Sequence, residues 1–233
     1  MGRLTGNQVD ALGRRLRDGT EVSVDDLGLL QELLDMHIAP LQQVNERLTT
    51  LGLTPHSRLK STGTIIEKLR RERITLRGIH DLAGTRVVKQ MTVSEQDELT
   101  SRVTALLPDS RVIDRRATPN HGYRAVHVAA RIDGRWVEIQ LRTAHQDAWA
   151  QLMEHLADRV GRQVRYGLPP DEPGPGSVAD GGAWELVARM MELSRLLAEE
   201  EDLRNRGIRS PNRAGIDELV RRIHQRLALP EPG

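Results

Sequence analysis

Two segments of this 233-residue chain carry side chains suited to a phosphorylated substrate. The first is Arg58-Leu-Lys60-Ser61-Thr-Gly-Thr64-Ile-Ile-Glu-Lys68, in which a turn of small residues leads into a helix flanked by cations. A helix N-terminus presents unpaired amides and the positive end of its dipole, which suits a phosphate chain. The spacing of a Walker A loop is absent, and basic residues at a helix start also occur on ordinary surfaces. The second segment is Ile79-His80-Asp81-Leu-Ala-Gly84-Thr-Arg86, a turn running into a buried strand that starts near Thr85. Asp81 just before the strand reads as a cap or turn residue. No further His and Asp at helical spacing accompany His80 and Asp81, which argues against a metal phosphohydrolase.

A third segment, Tyr123 to Thr143 (YRAVHVAARIDGRWVEIQLRT), reads as a hairpin turning at Asp133-Gly134. That turn sets His127 opposite Gln140, Ala129 opposite Glu138 and Arg131 opposite Trp136. Alternation along the strands then gathers Tyr123, His127, Glu138, Gln140 and Arg142 on one face and Val126, Val128, Val137, Ile139 and Leu141 on the other. The polar face is either a solvated surface, as half-exposed sheets often show, or the floor of a site.

The elements that must position these groups follow from composition and periodicity. Apolar residues make up 38% of the chain and Phe is absent, so the core must come from Leu, Val, Ile and Ala. Cysteine is absent, which excludes disulfides and thiolate metal sites. No stretch approaches the length needed to cross a bilayer and no signal peptide is recognisable, so a soluble, cytoplasmic protein is expected. The net charge is +1 but unevenly spread: nine Lys or Arg face three acids from Arg58 to Lys89, while six acids face two Arg from Glu185 to Asp202. The first stretch is suited to an anion, and the second reads as a solvated helical face. Five aromatic residues are too few for a surface that stacks many bases.

Helices are expected from Gly6 to Asp18 and from Ser23 to Leu53, the latter capped at Ser23 and kinked or divided by Pro40. Further expectations are a helix carrying Lys68, another from Ser94 to Leu107 and a short strand around Arg111 to Ile113. The loop Asp114 to Gly122 delivers the chain to the hairpin. Thr143 and Gln146 form a capping box for a helix to Val160, with Ala148, Trp149, Leu152, Leu156 and Val160 covering the sheet. Trp149 is read as a core residue. Beyond a Pro/Gly-rich linker, Trp184 to Asn205 and Ile216 to Leu227 are helical, as a mobile or docked appendage. The fold class is α+β: a small mixed, mostly antiparallel β-sheet flanked by helices, with extra N- and C-terminal helices. The segmentation is residues 1–54 for N-terminal helices, 55–168 for the central domain, 169–183 for the linker and 184–233 for C-terminal helices.

The motifs Arg58-x-Lys60-Ser61-x-x-Thr64-Ile65-x-x-Lys68, Asp81-Leu-Ala-Gly-Thr-Arg86, Gly122-Tyr-Arg-Ala-Val-His127 and Glu138-Ile-Gln-Leu-Arg-Thr143, followed by Trp149 and Glu154-His155, resemble the synthetase domain of the RelA/SpoT family. They are most similar to its short members, the small alarmone synthetases, across roughly Pro55 to Tyr166. The resemblance implies transfer of the β,γ-pyrophosphate of ATP to the 3′-hydroxyl of a guanine nucleotide, GDP or GTP, with Mg2+. Arg58 and Arg86 would sandwich the adenine, with Lys60, Ser61, Thr64 and Lys68 around the triphosphate. Asp81 would hold the metal, and Glu138 would assist it or act as base. Tyr123 would stack on the acceptor base, with Arg124, His127, Gln140 and Arg142 completing the acceptor side. Chemically, such a transfer asks the protein for charge neutralisation and alignment.

Two departures stand out: Pro119-Asn120-His121-Gly122 replaces the usual Lys-Pro-Asn-Gly approach to the tyrosine, and Thr64 replaces a serine. They leave the acceptor open, with the 3′ end of tRNA (the toxin branch, which would bring an antitoxin partner) or an adenine nucleotide as alternatives. Arg111, Arg115, Arg116 and His121 are either contacts for a polyanionic acceptor or a solvated loop. A homo-oligomer is compatible with the sequence. A non-catalytic nucleotide-binding regulatory module is the reading from another class, and the filled catalytic positions count against it.

Overall fold

The computed structural model describes residues 4–19, 21–169, 182–227 and 229. It begins with α1 (Gly6–Asp18), where Thr5 and Gln8 close a capping box. In α2 (Val24–Asp35), Ser23 accepts the Asp26 N–H at 3.1 Å, while the Asp26 carboxylate turns to Arg15 at 2.7 Å. The long second helix divides at Met36 and His37 rather than at Pro40. Pro40 falls in the first turn of α3 (Ile38–Thr50), where a missing N–H leaves no helical bond unmade.

The sheet holds β1 (His56–Leu59), β2 (Ala83–Lys89), β3 (Ser110–Asp114), β4 (Val126–Ile132) and β5 (Arg135–Thr143), in the order β1-β2-β5-β4-β3. β1 was not anticipated from the sequence. It runs antiparallel to β2, with His56 opposite Arg86 and Arg58 opposite Gly84. The β4–β5 turn has φ of 50° at Asp133 and 77° at Gly134, the paired positive values of a two-residue type I′ turn. Val126, Val128, Val137, Ile139 and Leu141 are each at most 1% exposed, as the alternation requires.

The chain forms two compact units. One comprises Met1–Val87, Ser101–Ile113 and His127–Gln140, and the other Val88–Thr100, Asp114–Val126 and Leu141–Gly233. In the first, Leu12 and Leu16 of α1, Leu30 of α2, Ile65 and Leu69 of α4 (Thr62–Glu72) and Leu76 share one core. The approach is close enough that a Cβ on Gly13 would stand 2.8 Å from the Leu76 Cβ. This core fixes α4, and with it Lys68.

The helix expected from Ser94 to Leu107 is α5 (Val93–Leu106), and in the second unit Thr143 and Gln146 make the expected capping box for α6 (Ala144–Val160). Trp149, Leu152, Leu156 and Val160 pack with Leu186, Met190 and Leu193 of α7 (Gly182–Asn205) and Ile216 and Ile223 of α8 (Arg213–Arg226). Trp149 is a core residue, and its indole N–H donates to the Met190 carbonyl at 2.7 Å. Ala148, expected in the apolar stripe, is exposed, because the buried stripe runs through its neighbour Trp149 at helical spacing. The C-terminal helices are docked. Residues 170–181 of the expected linker lie outside the described residues, and among the described residues no helix is long and apolar enough to cross a membrane.

Gly134 offers a clean test of the hairpin. No atom lies within 4 Å of a Cβ built there, so Gly134→Ala acts through its positive φ alone. It should lower stability by about 1 kcal/mol in urea unfolding. An unchanged midpoint would contradict the turn geometry.

Candidate active site

In the first unit the site grows from the end of β1. The Lys60 N–H donates to the Leu82 carbonyl at 2.8 Å, which carries the β1 edge one residue further and sets Lys60 beside Asp81. α4 then starts at Ser61. Its hydroxyl makes no capping bond to the helix amides and instead meets Thr64 Oγ1 at 3.0 Å. Lys68 follows Thr64 by one turn. The Asp81 carboxylate lies between the two lysines, with Lys60 Nζ 2.8 Å from Oδ2 and Lys68 Nζ 3.0 Å from Oδ1. Burial opposes ionisation of Asp81, but the charges and hydrogen bonds of Lys60 and Lys68 outweigh it and hold its pKa at about 2.

Glu138 lies on β5. Its carboxylate is 3.2 Å from His127 Nδ1 on β4 and accepts the Gln140 amide N–H at 2.7 Å. These three residues are the ones that the hairpin register places together. Burial again opposes ionisation, and the His127 and Gln140 contacts win, holding the carboxyl below its usual range even though the Asp81 charge pushes the other way. A Cβ on Gly84 would stand 3.2 Å from the Glu138 carbonyl oxygen, so this position in β2 demands a small residue. Arg58 and Arg86 sit diagonally on β1 and β2, two register positions apart, and therefore share a face.

An aromatic group that no sequence pattern announces lies beside these residues. The His80 ring lies 4.7 Å from Trp136, and the Arg111 guanidinium lies 4.4 Å above the same indole. Burial, then Arg111 and Lys68, push the His80 pKa down. Arg111 therefore has an aromatic partner within the protein.

The oxygen donors of Asp81 and Glu138 suit Mg2+, which is commonly held by one or two carboxylates with substrate phosphates supplying further oxygens. Among the described residues, no group of three or more His, Cys, Asp or Glu could hold a metal by itself. The donor set fits an ion that arrives with a phosphate chain.

In the second unit, Tyr123 lies ahead of β4 rather than on it, yet it still meets Arg142, which the register sets on the same face. It pairs with Asn120 in an isolated antiparallel bridge across a turn with positive φ at His121 and Gly122. Gly122 is required twice over: its φ is 84°, and a Cβ would stand 2.7 Å from the Trp149 side chain. The Tyr123 hydroxyl accepts from Arg142 Nη2 at 3.1 Å, and Arg142 Nη1 donates to Asp147 Oδ1 at 2.8 Å. Arg124 donates to the Arg116 carbonyl and to Ser194 Oγ, so it braces the loop. Arg116 itself pairs with Asp97 and Asp114, each at 2.6 Å. The acidic run near Glu199, read as a water-exposed helix end, includes two buried carboxylates. Glu200 pairs with Arg213, and Glu201 accepts from Thr143 and Gln146.

The depressed pKa of Asp81 fixes the sign of a pH test. Its stabilising effect is complete above the ordinary carboxylate range and fades as pH falls toward about 2. Asp81→Asn should therefore be less stable than the parent by on the order of 2 kcal/mol at neutral pH, with the gap roughly halved near pH 3. Urea unfolding across that range reads it, and a gap independent of pH would contradict the assignment.

Residues 57–159 match the family model described as a region found in RelA / SpoT proteins. Uncharacterized proteins of Mycobacterium tuberculosis and Mycobacterium bovis are each 35% identical over 205 residues, covering 84% of this chain and 74% of their own length. The small alarmone synthetase 1 of Bacillus subtilis, bound to its product pppGpp, superposes with a TM-score of 0.53 at 21% identity, covering 77% of this chain and all of that one. A GTP pyrophosphokinase family protein from Streptococcus pneumoniae gives 0.50 at 19% identity, covering 90% of this chain and 100% of that one. Such low identities speak to the fold, while the family model and the mycobacterial relatives speak to descent. The chain belongs to the RelA/SpoT family.

Proposed function

We propose that this protein transfers the β,γ-pyrophosphate of ATP to the 3′-hydroxyl of a guanine nucleotide, GDP or GTP. The observation that carries the reading is the Asp81 carboxylate bracketed by Lys60 and Lys68 in the same unit as the Glu138 carboxylate. Two ammonium groups against one carboxylate leave a net positive charge, which favours a polyphosphate. Phosphates entering there would compete with Asp81 for both lysines and release its oxygens. Arg58 and Arg86, sharing one face, suit a purine ring between two guanidiniums.

Asp81 and Glu138 are the residues that would hold Mg2+, whose charge would help neutralise the phosphate chain. The acceptor 3′-oxygen attacks the β-phosphorus of ATP, the bond from that phosphorus to the α,β-bridging oxygen breaks, and AMP leaves. The hydroxyl proton passes to Glu138. That carboxylate is ionised at neutral pH, and His127 and Gln140 fix its direction. On the acceptor side, Tyr123 supplies a ring to stack on the base.

A guanine acceptor is supported by the pppGpp bound to the Bacillus subtilis synthetase of the same fold. The engagement of Arg116 with Asp97 and Asp114, and of Arg124 with Ser194, supports a nucleotide over tRNA, because cations held by the protein contribute less to binding a polyanion.

Glu138→Gln tests the chemistry. Pyrophosphate transfer should fall by at least about a hundredfold while ATP affinity, measured by calorimetry, stays within about twofold. Unaltered turnover would remove Glu138 from the mechanism. In the parent protein, GDP, GTP, ATP and deacylated tRNA offered side by side should show label transfer to the guanine nucleotides. Transfer to tRNA alone would replace this acceptor with the toxin reading.

A further inference from the structure

We infer that Asp147 is a positioning residue for the acceptor, acting through Arg142 to hold the ring of Tyr123, and that Arg142 serves the reaction as part of this bracket. The inference rests on the reading of Tyr123 as the acceptor-stacking residue.

Tyr123 is carried by a tight turn outside the sheet, so the hairpin ladder does not fix its ring. A ring that stacks on a base must nonetheless be held in one orientation before the base arrives, or its ordering opposes binding. Arg142 provides that restraint. Its Nη2 donates to the Tyr123 hydroxyl at 3.1 Å, and its guanidinium carbon lies 5.1 Å from the ring centroid. Arg142 is held in turn. Its side chain is 10% exposed and its Nη1 donates to Asp147 Oδ1 at 2.8 Å, with the Asp147 side chain only 8% exposed. The other carboxylate oxygen accepts the Gln151 amide at 2.6 Å.

Local structure makes this bracket rigid. Asp147 lies in the first turn of α6, where the helix dipole favours an anion, and the Thr143–Gln146 capping box fixes where that helix begins. Gln151 lies one turn further along the same helix, so Arg142 and Gln151 hold Asp147 from elements adjoining it in the chain. A guanidinium so enclosed has little freedom to reach for a ligand. Its value to the reaction is the fixed direction it gives the tyrosine. The carboxylate is what makes the enclosure tolerable, since a buried cation without a counter-charge is strongly unfavourable. Asp147 therefore belongs to the acceptor side although it presents no group to the acceptor itself.

Kinetic cycles test this. Tyr123→Phe keeps the ring but removes the hydroxyl that Arg142 contacts, and Asp147→Asn keeps the shape but removes the charge. Each should raise the acceptor KM by about tenfold, the ratio set by about 1.4 kcal/mol, and leave the ATP KM within twofold. The double variant should be no worse than the more affected single one, because both act through Arg142. Multiplicative losses in the double variant, or equal rises in both KM values, would overturn the inference in favour of a general structural role. Should Asp147→Asn fold poorly, Tyr123→Phe with Asp147→Glu decides it. Asp147→Glu keeps the charge and should retain most of the acceptor affinity, and a loss as large as that of Tyr123→Phe in a well-folded Asp147→Glu protein would overturn the bracket. Tyr123→Ala separates the two layers of the argument. If it leaves the acceptor KM unmoved, the stacking role itself fails; if it raises that KM while Tyr123→Phe and Asp147→Asn do not, only the bracket fails.

Discussion

The paired contact of Asp81 with Lys60 and Lys68 is the constraint on which the first unit depends. Three charges, each on a side chain at most 20% exposed, are acceptable in so little water because both ammonium groups share the one carboxylate. Meeting that condition requires the edge of β1, the first turns of α4 and the entry to β2 to converge within hydrogen-bond distance. The Leu12, Leu16, Ile65, Leu69 and Leu76 core can then be read as the support that stops α4 from shifting and breaking the second of these contacts. One positive charge remains in excess, which suits the cluster to an anion such as a phosphate group.

The two units divide the chemical work into different kinds of force. In the first, electrostatics dominate: ionised carboxylates, lysines and an arginine pair on one face of the sheet. In the second, the groups that matter are held by hydrogen bonds and packing. Gly122 permits the turn that carries Tyr123, Arg142 holds its hydroxyl, and Trp149 is locked into the helical core by the Met190 carbonyl. Of the arginines around Tyr123, Arg116 and Arg124 are engaged in this bracing. These arginines thus stiffen the turn that carries Tyr123 instead of simply adding charge to it.

Much of this was legible in the sequence because the signals were short-range. Asp133-Gly134 specified a turn whose two positive φ values are observed, and alternation along the strands then brought His127, Glu138 and Gln140 together. Thr143 and Gln146 announced the start of α6. Other features depended on partners far away in the chain. β1 is four residues of mixed polarity at a sheet edge, with no alternation to reveal it. Glu200 and Glu201 looked solvated because Arg213 and Thr143, which meet them, are distant in sequence. Tyr123 stands before the first residue of its strand, because a tight turn interrupts the ladder there, although Arg142 remains its neighbour as the register requires. Asp147 gave no signal, since its role exists only through Arg142.

Membership of the RelA/SpoT family and the observed fold agree with a pyrophosphate transfer, which differs from other transfers in the bond of ATP that is cut. ATP labelled separately at the β- and γ-phosphorus, with GTP as acceptor and Mg2+ present, reveals that bond. Both labels should move together into the guanine nucleotide, with AMP appearing in equal amount. Release of ADP with transfer of the γ-label alone, or conversion of ATP without any labelled guanine product, would contradict such a transfer.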